Sequence, residues 1–362
     1  MKKWKARAYR LALACMPEPR RASRASGSVP EGVADALRRH HVRDGAVALF
    51  DAKGVTGLLV YGETKADTVF RAASVSKHIT AMAVWRLHEA GLIDIDADVD
   101  AFLPCSLRHP QAPDAPITLR RLLSHTAGIH DGRAYAAACV SQAPLSQVMQ
   151  GDSHTADFGP FEYSNFGAGI AGCALEGMLG KSFERIMQEA LFAPLRVQAT
   201  FYPQKAQGEI ANAYRVLPPS GKPTLDVAVR RARPLPPDAP DPERHYLLAH
   251  GNLYISAPEL ARLGVELMRE RYAPMRRRLA DFGARDSRLS MGLSTFLVHD
   301  ILPRTLYGHQ GLAYGAMHGL FYDPEAGRGF ALLTSACSEA REGVLSDINI
   351  AIIRRVLNGN GG

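Results

Sequence analysis

Residues 70–87 read FRAASVSKHITAMAVWRL, and the fold turns on this stretch. An extended, small-residue run stops at Ser74, and a helical pattern starts at once. Ile79, Met82, Ala83 and Leu87 recur at spacings of three and four, which marks one apolar face of a helix ending near Gly91. Ser74 is therefore expected to open a buried helix, with Lys77 one turn further on. Residues three apart on a helix are neighbours, so the amine can reach the hydroxyl. A serine hydroxyl is a poor nucleophile until a base takes its proton, and first-turn backbone N–H groups favour the negative charge that develops there. That geometry suits a Ser–Lys acyl enzyme. A serine at a helix start is more often a plain N-cap, and Ser-x-x-Lys arises by chance in chains of this length. The chain is poor in lysine, however, with nine against 34 arginines, and Lys77 is the one lysine that follows a serine by three.

Upstream of this helix, Gly45 to Asp51 and Val55 to Tyr61 are short apolar runs separated by Ala52-Lys53-Gly54, the pattern of a β-hairpin. Downstream of Gly91 the pattern becomes helical and loop-rich. Thr118 can cap a short helix through Leu123, Phe183 to Leu191 reads as another helix, and Ala211 to Val229 reads as a strand pair around Pro218-Pro219-Ser220-Gly221. Five prolines between Arg233 and Arg244 exclude helix and central strand there, leaving a surface loop. Ser256-x-x-Glu259 has the form of a capping box before the apolar face Leu260, Leu263, Leu267 and Met268. Strand patterns return from Met291, with runs at Gly292 to Val298, Thr305 to Gly308, Met317 to Tyr322 and Phe330 to Thr334. A last amphipathic helix carries Leu345, Ile348, Ile352 and Val356.

Strands at both ends with helices between predict an α/β protein of the α+β type. One antiparallel sheet is built from both termini and flanked by helices, and a mostly helical domain is inserted in the middle. The expected division is residues 31–90 and 245–362 for the sheet domain and 91–244 for the insert with its Pro-rich loop. Residues 1–30 are expected to form a basic, disordered tail.

The formal charge of +7 raises the question of nucleic acid or an anionic surface, so its location matters. Residues 1–25 carry eight basic side chains and one acidic, which leaves 35 of each sign on the other 337 residues. The folded part is neutral, with no basic body to grip phosphate. The tail's apolar stretch, Leu11 to Cys15, is shorter than the roughly 7 to 15 residues of an export signal, and Arg10 interrupts its approach. A disordered tail or misassigned start is preferred to a signal, and with it a cytoplasmic location over a periplasmic or secreted one. The five cysteines are odd in number and show no Cys-x-x-Cys spacing, as expected of free thiols in a reducing compartment. No run approaches the roughly 18 apolar residues of a membrane span.

Two further motifs bear on Ser74. Phe161-Glu162-Tyr163-Ser164-Asn165-Phe166-Gly167 lies in the helical insert, where Tyr163 could move protons and Asn165 could hold a substrate carbonyl. Tyr307-Gly308-His309-Gln310-Gly311-Leu312 stands in a Gly-rich segment read as a turn before a strand pair near the carboxyl end. Either alone is more often structural than catalytic. Together, Ser-x-x-Lys, Tyr-x-Asn and His-x-Gly occur in the order and spacing of the penicillin-recognising serine hydrolases. The chain resembles the class C β-lactamase-like branch, which also holds D-aminopeptidases, carboxypeptidases, esterases and some acyltransferases. The resemblance runs from about Val47 to Leu357 and includes 122–129 (LLSHTAGI) and 251–263 (GNLYISAPELARL).

The resemblance implies Ser74 as nucleophile, Lys77 as its base or proton relay, and Tyr163 as the group that moves the proton to the leaving group or from water. It makes Asn165 the holder of the substrate amide and gives His309, Gly311 and Leu312 to the substrate-binding strand. The Leu312 N–H would complete an oxyanion hole with that of Ser74, and His125 would be structural. It implies no cofactor and no metal. The expected function is a serine hydrolase cleaving an ester, amide or D-amino-acid peptide bond of a small molecule or short peptide. An acyltransferase on the same site and a catalytically silent penicillin-binding receptor are the alternatives. Whether Lys77 or Tyr163 is the base stays open. Two positions depart from the pattern: His309 stands where β-lactamases carry Lys, and Asn252 where a second Gly is usual. A histidine titrating near 6.5 would be mostly neutral at pH 7.5, so weak β-lactamase activity that rises towards pH 6 is expected.

Overall fold

The computed structural model describes residues 23–216, 223–225 and 238–358. A sheet of nine antiparallel strands runs in the order β1 (Ser23–Gly27), β3 (Gly54–Tyr61), β2 (Gly45–Asp51), β14 (Arg328–Thr334), β13 (Ala316–Asp323), β12 (Leu306–Ala313), β11 (Phe296–Val298), β10 (Leu289–Met291) and β9 (Ala280–Asp281). The two ends of the chain meet at its middle, where Val47 pairs with Leu332 and Leu49 with Phe330. The fold is thus the expected mixed α/β architecture with one large antiparallel sheet.

The strands read as continuous apolar runs because both faces are covered. In β2, Ala46, Ala48 and Phe50 enter one core while Val47 and Leu49 enter the other; in β14, Ala331 and Leu333 oppose Phe330 and Leu332. The second core is closed by α1 (Val33–Arg39) and α7 (Asp347–Val356). The first is closed by α6 (Ala257–Leu267) and by α2 (Val75–Glu89), the Ser74 helix. The helix α2 departs from the one-sided pattern expected of it: every residue from Val75 to Val84 is buried, polar ones included. It runs between the large sheet and the helices of the middle of the chain, and, except at Thr80, whose Oγ1 has no partner among the described residues, its buried polar side chains find partners inside. His78 does so at the Ser294 carbonyl (3.0 Å), and the Ser76 hydroxyl accepts from Leu253 N at 3.0 Å.

A second, three-stranded sheet joins β4 (Val69–Arg71), β8 (Tyr254–Ser256) and β5 (Ala199–Thr200), with Phe70 opposite Ile255. Thr118 caps α3 (Leu119–Leu123) as expected, accepting from Arg121 N at 3.2 Å. Of the strand pair expected over 211–229, β6 (Tyr214–Val216) pairs with β7 (Pro223–Leu225), and the turn between them lies outside the described residues. So do residues 1–22 of the expected tail and Arg233 to Pro237 of the Pro-rich loop. The rest of that loop is pinned: Glu176 on α4 (Asn165–Leu179) accepts from Asp241 N at 2.7 Å.

Four expectations are corrected. Ser23–Gly27 belongs to the sheet, not to a tail; all its side chains are exposed, so no apolar signal marks it, and its pairing with β3 rests on the backbone. The capping box at Ser256 does not form: its side chain makes no cap, and the Glu259 carboxylate accepts instead from Gln198 N at 3.0 Å. The last helix starts after Leu345, with Ser346 as its cap. Finally, His309 to Leu312 lies within β12 and not in a turn before a strand. Glycines hid this strand, and Gly308 shows why they are there: a Cβ at that position would come 2.0 Å from the Leu320 carbonyl oxygen.

Candidate active site

Ser74 is placed by the chain on either side of it. β4 is held by β8, and Ala72 N donates to the Leu253 carbonyl at 2.8 Å, which stops the extended run. Ala73 then turns the backbone with φ +49°, a left-handed conformation that a non-glycine residue adopts only at a cost of about 1–3 kcal/mol. This strain sits immediately before a half-buried serine already in helical geometry (φ −67°, ψ −8°), whose side chain does not cap the helix. The Ser74 hydroxyl instead accepts from Lys77 Nζ at 3.0 Å.

Lys77 Nζ also donates to Asn165 Oδ1 at 2.8 Å and to the His250 carbonyl at 2.6 Å, and the side chain is fully buried. Burial lowers its pKa from 10.5 to about 7; the Asp131 carboxylate pulls upward against this, and the Arg71 cation adds to the lowering. A lysine of this kind is about half neutral at pH 7, as a general base must be. Tyr163 lies beside it, with Lys77 Nζ 5.3 Å from the ring centroid and its hydroxyl in a hydrogen bond with Ser74. Burial raises the Tyr163 pKa above its usual 10, and the bond to Ser74 offsets only part of that. The loop carrying Tyr163 is fastened to His125. The His125 ring packs on Tyr163 (4.4 Å between centroids), its Nδ1 accepts from Ser164 N at 3.1 Å, and its carbonyl accepts from Glu162 N at 2.9 Å.

Sequence reasoning missed Asp131. Its Oδ2 accepts from Asn165 Nδ2 at 2.6 Å, and its Oδ1 accepts from Phe166 N at 2.8 Å and Ser164 Oγ at 3.1 Å. An aspartate two residues past the LLSHTAGI stretch carries no spacing that would mark it. Arg71 was also passed over: its Nε donates to Asn252 Oδ1 at 2.9 Å, and Asn252 Nδ2 donates to the Phe201 carbonyl at 3.0 Å. The departure at Asn252 thus links three segments around the entry to α2.

The third motif meets Ser74 through Gly311. A Cβ built there would lie 2.4 Å from the Ala72 carbonyl oxygen and 3.2 Å from Ser74 N, so β12 runs against the backbone at Ser74 with no room for a side chain. Leu312, the next residue, is half-buried. His309 differs from expectation. It is fully buried, packs at a tilt on Phe296 (4.2 Å between centroids) near Tyr163 (6.2 Å), and its Nδ1 donates to the Gln310 carbonyl at 2.6 Å. Burial, with the Lys77 charge adding to it, holds its pKa well below 6.5, so it does not titrate between pH 8 and 6 as the sequence suggested. Its Nε2 is buried without a partner among the described residues.

A family model described as Beta-lactamase matches residues 30–354. The chain belongs to this family. It is 32% identical to penicillin-binding protein 4 of Amycolatopsis lactamdurans over 197 residues, which cover 48% of either chain. The chain thus spans about half the length of that relative. Solved structures with this fold include an octameric penicillin-binding protein homologue from Pyrococcus abyssi (TM-score 0.71, 19% identity, 90% of this chain and 76% of that one). A D-stereospecific amidohydrolase from Streptomyces sp. also has it (TM-score 0.67, 19% identity, 91% and 98%). Among the described residues no helix is long and apolar enough to cross a membrane, and no three His, Cys, Asp or Glu side chains are grouped to hold a metal.

Proposed function

We propose that this β-lactamase-family protein is a serine hydrolase that forms an acyl-enzyme on Ser74, with Lys77 as general base and Tyr163 as proton shuttle. The observation that carries the reading is the buried Lys77 with its three partners. A neutral amine keeps two hydrogens, which stay on Asn165 Oδ1 and the His250 carbonyl, the two shorter contacts. Its lone pair then faces the Ser74 hydroxyl at 3.0 Å and can take that proton as Oγ attacks a carbonyl carbon. The oxyanion would be held by the N–H groups of Ser74 and Leu312, which Gly311 keeps close together. Tyr163, whose raised pKa keeps it protonated, would pass its proton to the leaving oxygen or nitrogen and be reprotonated through Lys77. Water then attacks the ester carbonyl of the acyl-enzyme and releases the acid. A tyrosine pushed upward is a poor resting base, which supports Lys77 in that role.

The substrate is an ester, amide or D-amino-acid peptide of small size; the names of the penicillin-binding and D-stereospecific relatives support that range. The test is a panel of p-nitrophenyl esters, D- and L-amino-acid amides and a chromogenic cephalosporin, run with wild type beside Ser74→Ala and with a fluorophosphonate probe. Turnover and labelling are expected in wild type and lost in the variant. Labelling of Ser74→Ala at the wild-type stoichiometry would sink the assignment. The buried Ser76, already committed to Leu253 N, is a poor substitute nucleophile.

A further inference from the structure

We propose that Asp131 is a positioning residue: its carboxylate locks the Asn165 amide so that the amide oxygen faces Lys77 and one amide hydrogen is left for the substrate carbonyl. The inference rests on the functional reading above and extends it to a residue outside all three motifs. A carboxylate can only accept, so the side of Asn165 that meets Asp131 at 2.6 Å must be its nitrogen, and the side that meets Lys77 at 2.8 Å must be its oxygen. Asp131 is held in turn by Phe166 N, at the start of α4, and by Ser164 Oγ, so it cannot rotate away without losing both. The result is a chain of contacts, Asp131 to Asn165 to Lys77 to Ser74, in which the first member, able only to accept, keeps the amide oriented even when Lys77 is neutral.

The charges around Lys77 make the consequence readable. The groups that interact with it from the packed elements are Asp131, Arg71 on β4, Tyr163 before α4, His125 after α3, His250 after the helix Tyr246–Ala249, and His309 on β12. Burial drives His125 and His250 down to about 3 and His309 well below its usual value, so all three are neutral at working pH. Asp131 and Arg71 are then the two charges acting on Lys77. In Asp131→Asn the new carboxamide keeps an oxygen for Phe166 N and presents an NH2 to Asn165, whose amide must flip to offer its oxygen. Lys77 then faces a donor and has lost the carboxylate, and both changes disfavour its charged form.

The experiment measures kcat/KM against pH for a neutral p-nitrophenyl ester with wild type, Asp131→Asn, Asp131→Glu and Ser164→Ala. In Asp131→Asn the acid limb should move to lower pH and the plateau should fall about tenfold or more, the effect of misaiming a hydrogen bond to the reacting carbonyl. Asp131→Glu, which keeps the charge, should bring the limb back towards wild type. Ser164→Ala loosens the loop but leaves the Asp131–Asn165 contact, so its limb should stay at the wild-type position. An unmoved limb in Asp131→Asn, or one moved to higher pH, overturns the proposal. A 15N-lysine NMR titration of Lys77, assigned with Lys77→Met, reads the same quantity without turnover. If wild type neither hydrolyses nor labels, the functional reading fails, and a lower Lys77 midpoint in Asp131→Asn still upholds the positioning role while an unchanged one refutes it.

Discussion

Gly311→Ala is the sharpest probe of how β12 and Ser74 are fitted together. The added Cβ would lie 2.4 Å from the Ala72 carbonyl oxygen, 3.2 Å from Ala73 Cβ and 3.2 Å from Ser74 N. Carbon–oxygen contacts of this kind normally sit at roughly 3.3–3.6 Å, so strand and turn must part by about 1 Å. Both sides of the contact are backbone, and neither can rotate away as a side chain would. The shift carries the Leu312 N–H away from that of Ser74. Misplacement by about 1 Å can lower a rate about 10²-fold, and losing one oxyanion donor lowers it about 10² to 10³-fold. At 1.36 kcal/mol per factor of ten, the barrier should rise by about 2.7 kcal/mol or more. Because the interaction develops only in the transition state, kcat and kcat/KM should fall together on a small p-nitrophenyl ester, with KM nearly unchanged. Overpacking should also cost about 1–3 kcal/mol of stability, visible as a lower melting temperature. A variant within threefold of wild type in kcat would refute the reasoning, since the two N–H groups would then not depend on this contact.

With an ester that carries no ionisable group, kcat/KM should rise through an acid limb near pH 7 as Lys77 loses its proton. Arg71→Met should move that limb to higher pH, because the Arg71 cation disfavours a charged Lys77; a limb that stays put or moves lower would exclude Arg71 as an electrostatic partner. The ratio of cephalosporin to ester hydrolysis should be flat between pH 8 and 6, because burial keeps His309 neutral throughout, and a ratio that climbs as pH falls would show that His309 titrates. His309→Lys would place an amine in the same fully buried position and should lower the melting temperature, not create a carboxylate anchor.

Much of this protein is determined by short-range sequence alone. A helix opening at Ser74 with Lys77 one turn on needs only a helical period and a break before it, and the tight hairpin before it needs only turn chemistry. The union of the two ends in one sheet follows from where strand patterns occur. Other features have no local cause. The strand Ser23–Gly27 presents four exposed small residues and an exposed arginine and exists because β3 offers it a backbone edge, which no hydrophobic pattern encodes. The strand containing His309 was masked by glycines whose purpose is an approach to backbone far away in sequence.

The motif residues themselves could be named from sequence, but their electrostatic states could not. Lys77 and His309 have ordinary pKa values in any short peptide; it is burial among elements distant in sequence that removes water from both and lowers each. The orientation of Asn165 was likewise beyond reach, because it depends on Asp131, 34 residues earlier in the chain and brought to the site only by the packing of the loop after α3 against the start of α4. Sequence determined which groups can do chemistry, since residue type and helical spacing are local. Tertiary structure decided which proton each one holds, since desolvation and the field of distant charges come into being only when the chain is folded.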